Sequence, residues 1–539
     1  MMSRAAAAST AATTARPEPT NNADMWPAST ATRVKGTVNE NAATPSRPQP
    51  TPLRRVDSGS REITVALLSS LMTNSSSARV AAALRKWVAT APAGARLPST
   101  RALVAEHGVG PVTVQQALRT LIAQGLVESR PGVGTFVRDS RTPRPHDYGW
   151  QTVALGAPRQ HLPLTAAAMR STPDDAIALH SGYPDRELLP DRLVRSALVR
   201  AARGEGALDR MPAAGLPDLR AWFAAELAAS GVGGAAAPGA GDVVVLPGSQ
   251  SGLGTLFRTL VGAGGALLIE SPTYWGAVLA AAQVGVRLVP VPSGPEGPDA
   301  EEVERAFART GARAFYAQPN FANPTGAQWS SALTERILTI VREHGAFLIE
   351  DDWAHDFGIA ADAVPVAARD DGGHVVYLRS LTKSVSPAIR VAGLVARGPA
   401  RARILADAQA QSMYVSGVLQ QAAFDVVAQP AWRTHLRSLR ERLEARRDLL
   451  VRALREHAPE AHLEAVPRGG LNLWLRLPDD TDPSRFAREC EARGVMVASG
   501  DDWFPAEPAG RYLRLNYAGP NPGGFPEAAR VIGETLGAH

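Results

Sequence analysis

Residues 380–390 read SLTKSVSPAIR, and the reading of the whole chain turns on Lys383 within them. Only three of the 57 basic residues are lysines: Lys35, Lys86 and Lys383. Arginine supplies every other side-chain cation. An amine can lose its proton and form a Schiff base with a carbonyl, whereas a guanidinium stays charged and cannot. A lysine kept just past an apolar run, Val375–Leu378, in so lysine-poor a chain points to covalent chemistry. Ser380 stands three positions before it and Arg390 seven after, and both could grip a phosphate.

Outward from Lys383, β-rich runs alternate with Ala/Leu-rich helical ones from about residue 176. The expected strands are Val243–Leu246, Leu267–Ile269, Ala314–Ala317, Ala346–Glu350, Val375–Leu378 and Leu394–Ala396. That alternation predicts an α/β fold with a mostly parallel sheet. A long helix from about 435 then leads into Gly470–Leu477, Val495–Val497 and Tyr512–Asn516, a smaller α+β lobe. Chemistry-bearing residues fall at the ends of these strands. Pro247-Gly248-Ser249-Gln250-Ser251 follows a strand and opens a helix, so its amides and the Ser249 and Ser251 hydroxyls can cradle phosphate. The ring of Tyr274, in ESPTYWG, can stack on an aromatic ligand. Asn323, in ANPTG, can hydrogen-bond a phenolic oxygen. Asp351, in LIEDDWAHDF, can pair with a protonated ring nitrogen and maintain an electron sink. Arg514, in RYLRLNYA, can clamp a carboxylate with two parallel hydrogen bonds. These are the parts of a pyridoxal 5'-phosphate site, with Ser249, Gln250, Ser251, Tyr274, Asn323, Asp351, Ser380, Lys383 and Arg390 as cofactor contacts. Lys383 is the catalytic residue and Arg514 the substrate contact.

Nearer the N-terminus the pattern changes. From Arg79 to about Val88 apolar residues recur at helical spacing. Pro98-Ser99 opens a second helix that Gly108 ends, and Gly110-Pro111 starts a third running to Gln124-Gly125. Short strands at Leu126–Ser129 and Thr135–Val137 flank a Gly-rich tip. Three helices and a two-stranded wing make a winged helix-turn-helix. Residues 78–141 carry nine basic and three acidic side chains, an excess that suits a polyanion, while residues 142–539 are mildly acidic. Residues 1–60, rich in Ala, Thr, Ser, Pro and Asn, read as a disordered arm. No apolar run approaches the ~20 residues of a membrane helix, and no secretory signal pattern opens the chain, so the expectation is a cytoplasmic protein. A single cysteine, Cys490, rules out an internal disulfide and a cysteine-based metal site.

Residues 94–137, GARLPSTRALVAEHGVGPVTVQQALRTLIAQGLVESRPGVGTFV, resemble the winged helix-turn-helix of the GntR transcription-factor family. The resemblance makes Val112–Gln124 the recognition helix, presenting Thr113, Gln115 and Gln116 to base edges or phosphates. Arg96, Ser99 and Arg101 would face the DNA backbone, and Gly132 and Gly134 would let the wing approach the minor groove. From about 176 to 535 the chain resembles fold-type I pyridoxal-phosphate enzymes of the aminotransferase class I/II group. The two together are similar to the MocR regulators. The implied division is an arm over 1–75, a GntR-type domain over 76–138, a linker over 139–170 and the aminotransferase-like domain over 171–539.

The resemblance implies a homodimeric regulator that binds a double-stranded DNA operator, carries the cofactor on Lys383 and senses an amino compound or the vitamer. An amine ligand would displace Lys383, close the small lobe through Arg514 and change the spacing of two winged helices. Partial chemistry, aldimine formation and at most half-transamination, is expected ahead of full turnover. The alternative is a functional aminotransferase with an appended DNA-binding module. The SxxK spacing of Ser380 and Lys383 also fits penicillin-recognising enzymes, but no SDN or KTG partner follows. Asp352 and His355 read as solvated or structural neighbours, and Glu270 as a strand-end residue without chemistry. The chain departs from the family patterns in four places. Gly110-Pro111 replaces a Ser-Arg pair before the recognition helix, and Trp353 stands for a tyrosine near the phenolic oxygen. The segment 210–215, RMPAAG, lacks a tyrosine that reaches the partner's phosphate, and Asn472 stands where relatives often have histidine.

Overall fold

The structure, a computed structural model, describes residues 76–138, 151, 154–155, 169–173, 175–231 and 237–538. The arm expected over 1–75 and nearly all of the linker expected over 139–170 lie outside the described residues. The chain divides into two compact units, residues 1–148 and 149–539.

The first unit holds α1 (Ser76–Thr90), α2 (Thr100–His107), α3 (Pro111–Ala123), β1 (Val127–Arg130) and β2 (Gly134–Val137). Val80 and Leu84 of α1, Leu103 of α2, and Val114, Ala117 and Leu121 of α3 close on Val127 and Val137 in one apolar core. Their helical spacing puts one stripe of each helix inward. The helix ends are written into the chain. The Ser99 hydroxyl accepts the Ala102 amide at 3.2 Å, and Gly108 ends α2 in the left-handed region at φ 62°. Pro111 takes the first position of α3, where no backbone donor is needed. β1 and β2 pair antiparallel, Val127 opposite Val137, within a residue of the expected strands.

In the second unit β3 (Val243–Leu246), β4 (Ala266–Ser271), β5 (Arg287–Gly294), β6 (Gly297–Pro298), β7 (Ala314–Ala317), β8 (Phe347–Asp352), β9 (Val375–Ser380) and β10 (Ala392–Val395) form one sheet. Their order is β3-β10-β9-β8-β7-β4-β5-β6. The pairs β9/β8, β8/β7, β7/β4 and β4/β5 are parallel, whereas β10 runs antiparallel to both β9 and β3. Two reversals restore direction, so β3 points the same way as β9. The carboxyl ends of β3, β4, β7, β8 and β9 therefore share one edge, where open α/β sheets bind ligands. Alternate residues of β3 enter different cores. Val243 and Val245 pack with Phe223 and Ala422, and Val244 and Leu246 with Leu253 and Leu256. Layers on both faces explain why VVVL and AFYA are apolar throughout. β5 escaped the sequence reading because Pro290 and Pro292 interrupt it. It tolerates them near the sheet edge, where only Ser293 and Gly294 pair beyond it.

A smaller antiparallel sheet of β11 (His462–Leu463), β12 (Asn472–Arg476), β13 (Ala498–Ser499) and β14 (Tyr512–Asn516) completes the chain in the order β11-β12-β14-β13. Leu443 and Leu450 of the long helix Pro430–His457 pack on Leu473, Leu515 and Ile532 there. Ile177–Ala178 pairs in parallel with Val495–Met496, tying the entry segment of this unit to the small lobe.

Candidate functional site

At the shared strand edge lies a cavity. Eight of the residues expected there line it: Ser249, Gln250, Tyr274, Asn323, Asp351, Ser380, Lys383 and Arg390. Trp353 joins them, together with three the sequence reading missed, Tyr183, Gln318 and Thr382. Ser251 and Arg514 are not among the lining residues. Ser251 sits two residues beyond Ser249 on the helix α4 (Ser249–Leu256). A helix turns about 100° per residue, so the two hydroxyls leave it on opposite sides.

One corner of the cavity forms where β3 gives way to α4. Gly248 takes φ 88°, which lets the chain turn sharply into a helix whose N-terminus no side chain caps. Such a terminus offers unpaired amide donors to an anion. Arg390 closes the same corner. A Cβ on Gly248 would stand 3.2 Å from its Nη2, so the glycine makes room for the guanidinium. The Ser380 hydroxyl at the end of β9 accepts the Thr382 amide at 3.2 Å. Gln250 donates to the Gly276 carbonyl at 2.8 Å and accepts from the Tyr274 hydroxyl at 3.2 Å, which fixes the Tyr274 ring. Gly276 lies against that ring, where a Cβ would come within 2.4 Å of it.

On the cavity wall Asp351 uses one oxygen and spares the other. Its Oδ2 accepts from the Tyr316 hydroxyl at 2.8 Å and from Gln318 Nε2 at 2.9 Å. Oδ1 is buried with no partner among the described residues. Burial pushes the Asp351 carboxyl above its ordinary range, opposed by Gln318, Tyr316 and the Lys383 amine. The Gln318 amide also accepts the Asn323 backbone N–H at 2.9 Å, which orients its nitrogen toward Asp351. Asn323 Oδ1 is a second buried acceptor without a partner among the described residues, and Thr382 Oγ1 a third orphan. Orphaned buried polar atoms are rare enough that three around one cavity point to an occupant. The set fits pyridoxal phosphate: an acceptor for a ring N–H, a cradle for phosphate, an aromatic face and an amine.

That amine is chemically prepared. Burial, helped by the Arg514 charge and opposed by Asp351, lowers the Lys383 pKa from 10.5 to about 7. Its Nζ lies 4.0 Å from the centroid of the Trp353 ring and 6.0 Å from that of Tyr183. The residue that departs from the family pattern thus covers the lysine. Arg514, fully buried on β14, donates to Asn472 Oδ1 at 3.1 Å and to the His180 carbonyl, and stacks over Trp503 at 4.8 Å. Burial lowers its pKa to about 9, and its Nε has no partner among the described residues. Asn472, noted in the sequence only as a departure, is therefore the side chain that orients Arg514.

Asp352, read from the sequence as solvated or structural, is structural. It is buried and accepts from the Tyr377 hydroxyl at 2.7 Å, with His355 Nδ1 also at 2.7 Å. Burial alone would raise its pKa, but His355, Tyr377 and Arg379 bring it below the ordinary value. Glu270 is structural, accepting from the Gln318 backbone N–H, Ser293 and Trp329. Cys490 is buried, its thiol pushed up to about 11. No group of residues suited to a metal occurs among the described residues, and no described helix is long and apolar enough to cross a membrane.

In the first unit Gln115 and Gln116 stand exposed on α3, and Thr113 is half-buried. Arg96 and Arg101 are exposed, and Ser99 spends its hydroxyl on the cap of α2. Gly132 at φ 72° and Gly134 at φ 143° shape the wing. Arg96 lies so close to Gly134 that a Cβ there would sit 2.8 Å from its Nε.

Fold and cavity together define an aminotransferase-type domain carried behind a winged helix-turn-helix. Residues 175–532 match the aminotransferase class I and II family and residues 76–137 the gntR family of bacterial regulatory proteins. The chain belongs to the aminotransferase class I and II family and, through its gntR-type module, to the MocR-type regulators within it. The uncharacterized HTH-type transcriptional regulator YdfD of Bacillus subtilis is 26% identical over 79% of this chain and 89% of its own length. "Probable rhizopine catabolism regulatory protein MocR" of Rhizobium meliloti is 29% identical over 80% of this chain and 87% of its own. Among solved structures, the alpha-aminoadipate aminotransferase LysN of Thermus thermophilus, complexed with N-(5'-phosphopyridoxyl)-L-leucine, aligns with a TM-score of 0.62 and 28% identity. That alignment covers 68% of this chain and 93% of LysN.

Proposed function

We propose that this MocR-type regulator holds pyridoxal phosphate on Lys383 and uses it to sense an amino compound or the vitamer, as a cytoplasmic homodimer on a double-stranded operator. The observation that carries the cofactor reading is the unpartnered Oδ1 of Asp351, buried on the wall of the cavity that Lys383 enters. The phosphopyridoxyl ligand of LysN supports it. Bound there, the cofactor supplies an aldehyde that condenses with primary amines and a ring that withdraws electrons. Ser249, Gln250, Ser380, Arg390 and the amides of α4 hold the phosphate. Tyr274 faces the ring, Asn323 binds its phenolic oxygen and Asp351 its nitrogen. Lys383, its pKa lowered to about 7, has a large uncharged fraction at physiological pH. Cofactor capture therefore quickens as pH rises through about 7 and levels off above it. Arg514, aimed by Asn472 and the His180 carbonyl, binds the carboxylate of an amino-acid ligand. A ligand held more tightly by one of two states shifts the population between them, and with it DNA affinity.

The test combines colour and DNA binding. Purified protein should be yellow, and Lys383→Arg colourless yet folded. An amino acid should shift the spectrum and alter operator affinity, and Arg514→Ala should lose that response while staying yellow. A yellow Lys383→Arg protein would remove the cofactor assignment. Sustained transamination, at rates of order ~1–10³ per second, would favour the enzyme reading instead.

A further inference from the structure

The exposed face of α3 begins with a residue that the polar reading of this helix does not use. Val112, Gln115, Gln116 and Arg119 all point outward, opposite the buried Val114, Ala117 and Leu121. Their spacing of i, i+3, i+4 and i+7 makes them one stripe along the helix. Val112 leads the stripe at 78% exposure, whereas Thr113 beside it is half-buried. Gly110 caps the helix without a side chain, and Pro111 fills its first position. Gly110, Pro111 and Val112 bring no side-chain hydroxyl, amide or cation to this tip, and the one hydroxyl beside them, that of Thr113, is half-buried. What the tip offers is a branched apolar side chain, stiff about χ1.

A recognition helix meets base edges with its N-terminal residues. In the major groove those edges are mostly hydrogen-bonding atoms, and their one sizeable apolar group is the 5-methyl of thymine. A valine set against guanine or cytosine strips water from a polar atom and returns nothing. Set against thymine it buries methyl on methyl. The basic excess of residues 78–141 supplies the phosphate attraction that brings the tip into the groove. We propose that Val112 reads a thymine methyl group in each operator half-site, so that base preference at the helix tip comes from an apolar contact. This rests on α3 being the DNA-reading helix.

The experiment begins by finding the operator. Full-length protein selects sites from a random duplex library, and each thymine of the enriched site is then replaced singly by uracil, which removes only the 5-methyl group. Burying one such group is worth about 0.8 kcal/mol, so one thymine per half-site should lose about fourfold in affinity on replacement. Val112→Ala should bind the thymine and uracil duplexes equally. Because Val112 is exposed this variant keeps the fold, which unchanged binding to non-specific DNA at low salt checks. An enriched site with no uracil-sensitive thymine, or one whose sensitivity survives in Val112→Ala, overturns the proposal. Absence of any enriched sequence overturns base reading by α3 as well, and the proposal with it.

Discussion

The winged helix-turn-helix turns its reading residues outward, while the aminotransferase-type unit gathers its own inward. Gln115, Gln116, Arg96 and Arg101 come from a short stretch of chain and stand in water. The cavity instead draws on residues from Tyr183 to Arg390, brought together at five strand ends. In the first unit each side chain acts nearly alone, screened by solvent and salt. In the second, Gln318 touches both Asp351 and Asn323, and the charge of Arg514 reaches Lys383. Substitutions in the first should therefore add, and those in the second should not.

That contrast can be broken most directly at Lys383. Lys383→Met should abolish retention of the cofactor, read as complete loss of visible absorbance after dialysis. The affinity of the cofactor-free protein for non-specific DNA should stay within about twofold, because the basic residues that provide it lie in the other unit. A collapse of DNA binding would mean that the units are not separable. The same variant sharpens the electrostatic argument. Between about pH 7 and 10.5 this lysine is neutral when folded and charged when unfolded. The unfolded chain binds the extra proton, so this residue's contribution to stability falls as pH drops through that window. Denaturant titrations of cofactor-free protein should show Lys383→Met gaining on the parent as pH falls toward 7, and a pH-independent difference would contradict the burial of the amine.

A smaller effect is expected at Gln318. Gln318→Leu removes a donor from Asp351 and an acceptor from Asn323 at once. Hydrogen bonds to charged groups contribute roughly 1.5–3 kcal/mol, so cofactor affinity should fall at least about tenfold. Combined with Asp351→Asn it should cost less than the two losses summed, and strict additivity in a titration of the double variant would refute the coupling. Smallest of all, Arg101→Ala should weaken binding to every DNA sequence by a few-fold and reduce the salt slope by about one. Electrophoretic shifts at several salt concentrations would show it, and a change in preferred sequence would mean that Arg101 touches bases.

Much of this was legible in the chain because the signals are local. Ser99 and Gly108 punctuate α2 whatever surrounds them, since a cap and a left-handed turn involve a few consecutive residues. Glycine and serine after VVVL, or lysine after VVYLRS, mark where a strand must turn at the sheet edge. Such turns need no tertiary information.

The amino-acid sequence by itself determined the two units, the strand-end motifs and the one lysine beyond position 86, because each is encoded in neighbouring residues. Only the tertiary structure decided that Tyr183, Gln318 and Thr382 share the cavity wall, that Ser251 does not, and that Asn472 aims Arg514. It also chose the structural over the solvated role for Asp352 and stood Val112 in water. The physical reason is that exposure and hydrogen-bond partnership belong to pairs of residues far apart in the chain. Asp351 and Gln318 lie 33 positions apart and Arg514 and Asn472 lie 42, and no local pattern records which of two distant side chains will meet.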